Sequence, residues 1–529
     1  MMTDVRPTRI TGSRLARYLL LTMAGLAAAP ALRAQQIMDV YRPRIAVAAD
    51  GSFAVAYTAR IQHGTTVDNV VVQRYAPDGS PVGSVHVFEG ESCSALDLWT
   101  SDFTYNAELA FQSDGTLLVV MTHEGWFSIG VDDVYSSEAT LGAIDANGQV
   151  IDLQPDVGTC EQFRLIFPGG GRQTNPRLAI GPGDEILIAQ QGQYQDAHYT
   201  NVAIRILDAA GNEIVEEAIP HDDPQSVSSF HQYPDLAASA RHLLVVWHEC
   251  VVIDTRGNTD DCDIGAQFVD AQTLAAVGGN LTVNEAGVGQ AGTYSVWPSV
   301  AMNAAGQSVV VWADSRTGLQ GDVFAQRYDA DGQPVGGNLQ VSTGQGAVTN
   351  RPEVALLPDG RFMVVWEDSS AAGFRAWSRT FDAEGRPLTP PIRLSDGPAA
   401  LPAVAAGPGG FTTAWMTLGP EGRGIRTSRL GLLVANEPEA AGAVPGLWLE
   451  GYPNPFAGVA TLRYGLEGTS AVQLVVYDGL GREVARLVDR VEGPGRYEVV
   501  LDGRAWPPGV YLVRLRQGTQ TQTRVLVRR

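Results

Sequence analysis

The chain has 529 residues, 44% hydrophobic and 18% charged, with a formal net charge of −21. That length is too much for one compact core and calls for two domains, or a repeat array plus a small domain. The acidity sets it against nucleic acid and anionic lipid as partners, because like charges repel. The absence of any Lys excludes Schiff-base catalysis and the phosphate-gripping Lys of a P-loop.

The first 34 residues read as a signal peptide. Arg6, Arg9, Arg14 and Arg17 form a basic region, and Tyr18–Ala29 is an apolar run of the right length. Cleavage after Ala34 would leave Gln35 first. The run is shorter than the ~20 residues a spanning helix needs, so no membrane insertion is expected. Four cysteines, Cys93, Cys160, Cys250 and Cys262, suit an oxidising compartment and predict two disulfides. The preferred pairings are Cys250 with Cys262, across the mouth of one loop, and Cys93 with Cys160, between neighbouring loops.

Residues 35–435 carry one recurring pattern. A Pro or polar residue leads into a short strand with a central Ala, a tight turn follows, and then comes an apolar strand that often ends in Trp. Two further strands complete each copy, as in Trp297–Ser342 and Arg351–Ser395. Ala46, Ala110, Ala179, Ala237, Ala301, Ala355 and Ala405 align at spacings of 50 to 69 residues. A four-stranded unit repeated this way predicts an all-β, seven-bladed β-propeller, with six or eight blades as the alternatives. The small Ala fits the crowded axis. Trp247, Trp312, Trp366 and Trp415 are expected to fill the space between blades. Ile37–Val40 is expected to join the short last blade and close the ring.

Turns between first and second strands, and between third and fourth, are short Asp-Gly or Asn-Gly types. The DADG at Asp329–Gly332 belongs to this set rather than to a calcium loop. Long connections, such as Phe88–Ala107, Thr122–Ser136, Pro155–Asn175 and His248–Asp263, fall in the other two classes. In an antiparallel blade both classes emerge on one face, and that face is where ligand contact is expected.

Candidate chemistry lies there. Glu249, Asp314 and Asp368 follow second strands, where acids could act in pairs on a glycosidic bond; an acid past Trp can equally cap a turn. Asp314, Arg316 and Trp126 are candidate ligand contacts. Asp260, Asp261 and Asp263 offer oxygens to a cation; no cofactor is called for, and Ca²⁺ is the one ion such loops suit.

A Pro/Ala/Gly/Glu linker at 436–448 precedes residues 449–529, whose alternating runs predict a small Ig-like β-sandwich. These residues hold eleven Arg against eight Asp and Glu, so the rest of the chain carries a net −24 of the whole chain's −21. Tyr452-Pro453-Asn454-Pro455-Phe456, Tyr477-Asp478 with Gly481, and Gly509-Val510-Tyr511 resemble the C-terminal sorting domain of the type IX secretion system. The resemblance covers about eighty residues and extends to flagellar hook-capping modules. It implies recognition by the type IX machinery at the outer membrane and a body released from, or attached to, the surface of a Bacteroidetes-type bacterium.

Together these readings describe an exported protein whose propeller binds a glycan, protein or surface ligand through its long-loop face. The alternative is a polysaccharide-acting glycoside hydrolase or lyase that uses the loop acids.

Overall fold

The structure is a computed structural model. It describes residues 36–528 apart from 89–102, 152–163, 166–171, 194–199, 219–228, 253–258, 286–293, 432–446 and shorter breaks. The expected signal peptide, Cys93, Cys160, Pro453–Pro455 and most of the expected linker lie outside the described residues. The chain divides into two compact units, Met1–Leu432 and Leu433–Arg529. Every regular element among the described residues is a β-strand.

The first unit is a β-propeller. Its sheets run in chain order, with strands hydrogen-bonded in succession, as in Gln36–Val47, Phe53–His63, Thr65–Tyr75 and Pro81–Phe88; the short Arg164–Leu165 departs from this order and pairs back with Asp132–Ile144. Seven strands lie innermost: Gln36–Val47, Phe103–Phe111, Arg172–Ile180, Ser229–Ala238, Ser295–Met302, Val348–Leu356 and Ala399–Gly407. Each touches the next, and the seventh touches the first, so the ring closes. A parallel pairing of Arg172 with Ser137 also ties the third blade to the second.

Blade faces are apolar on both sides because each must be buried against a neighbour. Among the described residues, a separate hydrophobic cluster fills each junction around the ring. Trp247 packs against Ile204 and Ile206 of the third blade, and Trp312 against Leu244 and Val246 of the fourth. Trp366 meets Val309 and Val311 of the fifth. At ~25 cal/mol per Å² and roughly 200 Å² per indole, each stabilises its junction by up to about 5 kcal/mol. Gly265 lies opposite Trp247 in the strand pairing; a Cβ there would come within 2.5 Å of the indole, so the ring fits only over glycine.

The expected closure by Ile37–Val40 is not what occurs. These residues pair with Ala59–Ile61 inside the first blade, and the described part of the seventh sheet has three strands. The ring closes through side chains. Val40, Ile45 and Tyr57 pack on Ala403 and Ala414, and Arg423 pairs with Asp39 at 3.1 Å.

Two long connections are also shorter than the sequence implies. Thr122–Ser136 is mostly an extended hairpin, with Leu117–Ile129 paired to Asp132–Ile144. His248–Asp263 is largely strand, leaving only 253–258 between Val252 and Thr259. The Cys250–Cys262 disulfide forms, but it joins directly opposed residues of two paired strands rather than closing a loose loop. At the tight turns, Asp329 Oδ1 accepts from the backbone N–H of Asp331 at 2.9 Å and of Gln333 at 2.8 Å, with Gly332 at φ +76°.

The second unit is a two-sheet β-sandwich. Trp448–Tyr452, Val459–Leu466 and Gly495–Asp502 form one sheet, and Glu483–Glu492, Ser470–Asp478, Gly509–Gln517 and Gln520–Arg528 the other. Leu462, Tyr464, Leu474, Val476, Val513 and Leu526 fill the space between them.

Candidate functional site at the axial mouth

Every innermost strand carries a bulge at the same place. One residue of each innermost strand adopts positive φ: Arg42, Asn106, Asn175, Tyr233, Trp297, Arg351 and Leu401, all between 49° and 55°. Side chains larger than Asn rarely adopt this conformation, and here it recurs at equivalent register breaks. Six of the seven precede proline, which keeps them out of the right-handed helical region. In all but the first of these strands the bulge lies nearer the long-connection end, and the bulges bring two tiers of side chains to the axis.

The deeper tier is Arg44, Glu108, Arg177, Asp235, Ser299, Glu353 and Ala403, two residues past each bulge. Arg44 Nη1 lies 2.8 Å from Glu353 Oε1, and Arg44 Nε bonds Glu108. Glu108 also accepts from Arg177, whose Nε is 4.0 Å from Asp235. Asp235 Oδ2 accepts from the Val300 N–H at 2.9 Å. Burial opposes the charge on Arg44, but Glu108 and Glu353 outweigh it and raise its pKa. Burial pushes the Glu353 carboxyl up to about 7, against the opposing pull of Arg44. Burial likewise raises Asp235.

The upper tier is two asparagines, two aromatic residues and Leu401 with two arginines. Arg42 donates to Asn106 Oδ1, Asn106 Nδ2 donates to Asn175 Oδ1 at 3.3 Å, and Asn175 Nδ2 donates to Gln191 Oε1 at 3.5 Å. The Tyr233 N–H donates to the same Gln191 oxygen at 3.2 Å. Since guanidinium only donates, the chain of bonds has one direction around the mouth. Arg42, Arg44, Asn106, Glu108, Asn175, Arg177 and Tyr233 line an open cleft of about 40 Å³. That holds a water or one small polar group, not a whole sugar ring.

Of the residues singled out from the sequence, Asp314 and Arg316 are brought together, and none of those described lines this cleft. Asp314 is buried; its Oδ2 accepts from Trp312 Nε1 at 2.8 Å, Ser295 Oγ at 3.2 Å and Arg316 at 2.7 Å, and its Oδ1 from the Arg316 N–H at 2.8 Å. Arg316 stacks over Phe324 at 4.3 Å and bonds Asn338 at 3.1 Å. Asp368 is nearly buried, and burial raises its pKa. Glu249 stands 3.6 Å from His231 Nε2 on the neighbouring strand. Asp263 accepts from Asn284 at 2.6 Å. The side chains of Trp126, Asp260 and Asp261 lie outside the described residues. Among the described residues no cluster of three His, Cys, Asp or Glu is arranged for a metal.

In the second unit, Phe456 is fully buried, and its N–H donates to Val527 at 2.8 Å. Tyr511 stacks on Trp506 at 4.8 Å, and its hydroxyl donates to the Pro507 carbonyl at 2.7 Å. The Phe456 and Tyr511 of the sequence motifs are therefore core anchors. Residues 450–528 match the model of the secretion system C-terminal sorting domain. This region is a type IX sorting domain. The sorting domain directs secretion in Bacteroidetes-type bacteria and implies contact with the type IX machinery.

No curated protein matches the chain. A protein of unknown function from Dyadobacter fermentans is 14% identical, covering 61% of this chain and 93% of its own, with a TM-score of 0.43. The polysaccharide lyase Uly1 is 10% identical over 73% and 88%, with a TM-score of 0.45. A Trypanosoma rangeli sialidase mutant displaying trans-sialidase activity is 11% identical over 92% and 83%, with a TM-score of 0.39. Likenesses this distant carry no weight for activity.

Proposed function

We propose that this is an exported binding protein whose propeller holds a glycan at the axial mouth of its long-connection face. The carrying observation is the upper tier: hydrogen-bonding side chains from four consecutive blades, Arg42, Asn106, Asn175 and Tyr233, around one cleft. Polar groups beside an aromatic ring suit hydroxyl-rich ligands. A glycan screen with the full chain tests it: binding that is lost in Asn106→Ala and Asn175→Ala supports the reading, and a blank screen sinks it.

A second reading is hydrolysis or lysis of a polysaccharide. It is favoured by Glu108 and Glu353, carboxylates of two blades that meet on Arg44, with Glu353 pushed to about 7. Against it, both acids are committed to guanidinium groups, and the cleft is small. Release of reducing ends or unsaturated products, abolished by Glu353→Gln, would establish it.

A further inference from the structure

The outer face of the sorting domain's four-stranded sheet is apolar at one end. The register fixes which side chains share it. Tyr477 lies opposite Leu512, Leu512 opposite Val525, and Val510 opposite Val527. Their chain neighbours Val476, Tyr511, Val513 and Leu526 are in the core, so by strand alternation these five point outward. Val510 is 48% exposed, Leu512 40% and Val525 48%. Large apolar side chains exposed side by side on two paired strands make a contiguous patch, and such patches mark contact surfaces.

The next two rows of the same face are basic. Arg514 lies opposite Val475 and Thr523, and Arg516 opposite Gln473 and Thr521. Arg514 covers the Tyr477 ring at 4.5 Å and donates to its hydroxyl, and Arg516 donates to the Gly518 carbonyl at 3.1 Å. Among the described residues neither guanidinium has a carboxylate partner, whereas Arg486 pairs with Glu483 and Asp489, Arg490 with Glu492 and Arg504 with Asp502. Unmatched positive charge therefore adjoins the apolar patch.

We propose that this face, Val510, Leu512 and Val525 with Arg514 and Arg516, is where the sorting domain docks on the export machinery, against a protein surface with an apolar centre and flanking carboxylates. The family implies contact with that machinery, and this patch supplies a face for it, independently of what the propeller binds. Unpaired guanidinium groups select for carboxylates, which they hold in fork geometry, and against a basic partner. A wholly apolar partner would desolvate both arginines without compensation.

The test is export of the full chain from a bacterium that carries a type IX system, read as the ratio of extracellular to periplasmic protein. Leu512→Ser with Val525→Ser, and separately Arg514→Glu with Arg516→Glu, should each lower that ratio about tenfold or more. Arg514→Lys with Arg516→Lys keeps the charge and should retain most of it. Val491→Ser, at a 67% exposed apolar position opposite Ala471 and away from the patch, should change nothing. The purified variants should melt with the parent, because the altered side chains point outward; if the Ser pair unfolds, the Glu pair decides. Parental export of either folded pair, or an equal loss in Val491→Ser, would overturn the proposal. Co-sedimentation of the full chain with phosphatidylglycerol vesicles, abolished in the Glu pair, would assign the face to anionic lipid and overturn the protein partner.

Discussion

Arg44 of the first blade meets Glu353 of the sixth at 2.8 Å, although the seventh blade stands between them in the ring. The contact is permitted because the equivalent residue of the seventh blade is Ala403, which has nothing beyond Cβ to obstruct it. The cluster therefore spans the axis and ties non-neighbouring blades together. A ring stabilised only by nearest-neighbour packing has a weakest junction. Here that junction is the one between the last and first blades, which among the described residues has no donated strand, and the Arg44–Glu353 pair bridges it.

Glu353 makes this cluster sensitive to pH. Its folded pKa is about 7 against an ordinary 4.5, so folding takes up a proton there. The stability this contributes is fully present below about 4.5 and is lost as pH rises through 7. Glu353→Gln mimics the protonated form. Its melting temperature relative to the parent should therefore rise between pH 5 and pH 8; a constant difference would show that Glu353 does not titrate in this window.

Asp314 serves the fold. It accepts the buried Trp312 N–H and holds Arg316 over Phe324. Asp314→Ala leaves an unsatisfied buried donor and an unpaired guanidinium, at a cost of about 2–4 kcal/mol. Asp314→Asn keeps the acceptor and should cost less. Chemical denaturation measures both, and a neutral Asp314→Ala would refute the structural role.

The Cys250–Cys262 bridge closes a sequence separation of 12 residues, worth about 2–3 kcal/mol in chain entropy. Replacing both cysteines with Ala should lower the melting temperature by several degrees. A melting temperature unchanged in the double variant would contradict a bridge in the native protein.

Much of this architecture is written in the sequence. The Ala column, the Trp column and the Asp-Gly turns each recur because every blade solves the same packing problem. The sorting domain is legible because its motif residues Phe456 and Tyr511 sit in one small core. The axial site was also printed, as Arg-Pro-Arg, Asn-Ala-Glu, Asn-Pro-Arg, Tyr-Pro-Asp, Trp-Pro-Ser, Arg-Pro-Glu and Leu-Pro-Ala just ahead of each Ala. These triplets read as lead-ins to strands, since nothing local marks a bulge at a residue other than glycine. Their charges gain meaning only when residues hundreds of positions apart converge. Acids after the second strands drew attention instead because they stand out locally. Asp314 shows why that signal misleads: a carboxylate beside a buried indole N–H already has its partner.

The central claim is that seven inner strands meet around an axis locked by charge, which sets the mouth above it. A double-mutant cycle on Arg44→Met and Glu353→Leu, followed by denaturant unfolding at pH 8, tests this directly. The account predicts a coupling of about 1–3 kcal/mol, because the two residues share one contact. Strictly additive losses would place the first and sixth blades out of reach of each other and contradict the closed ring.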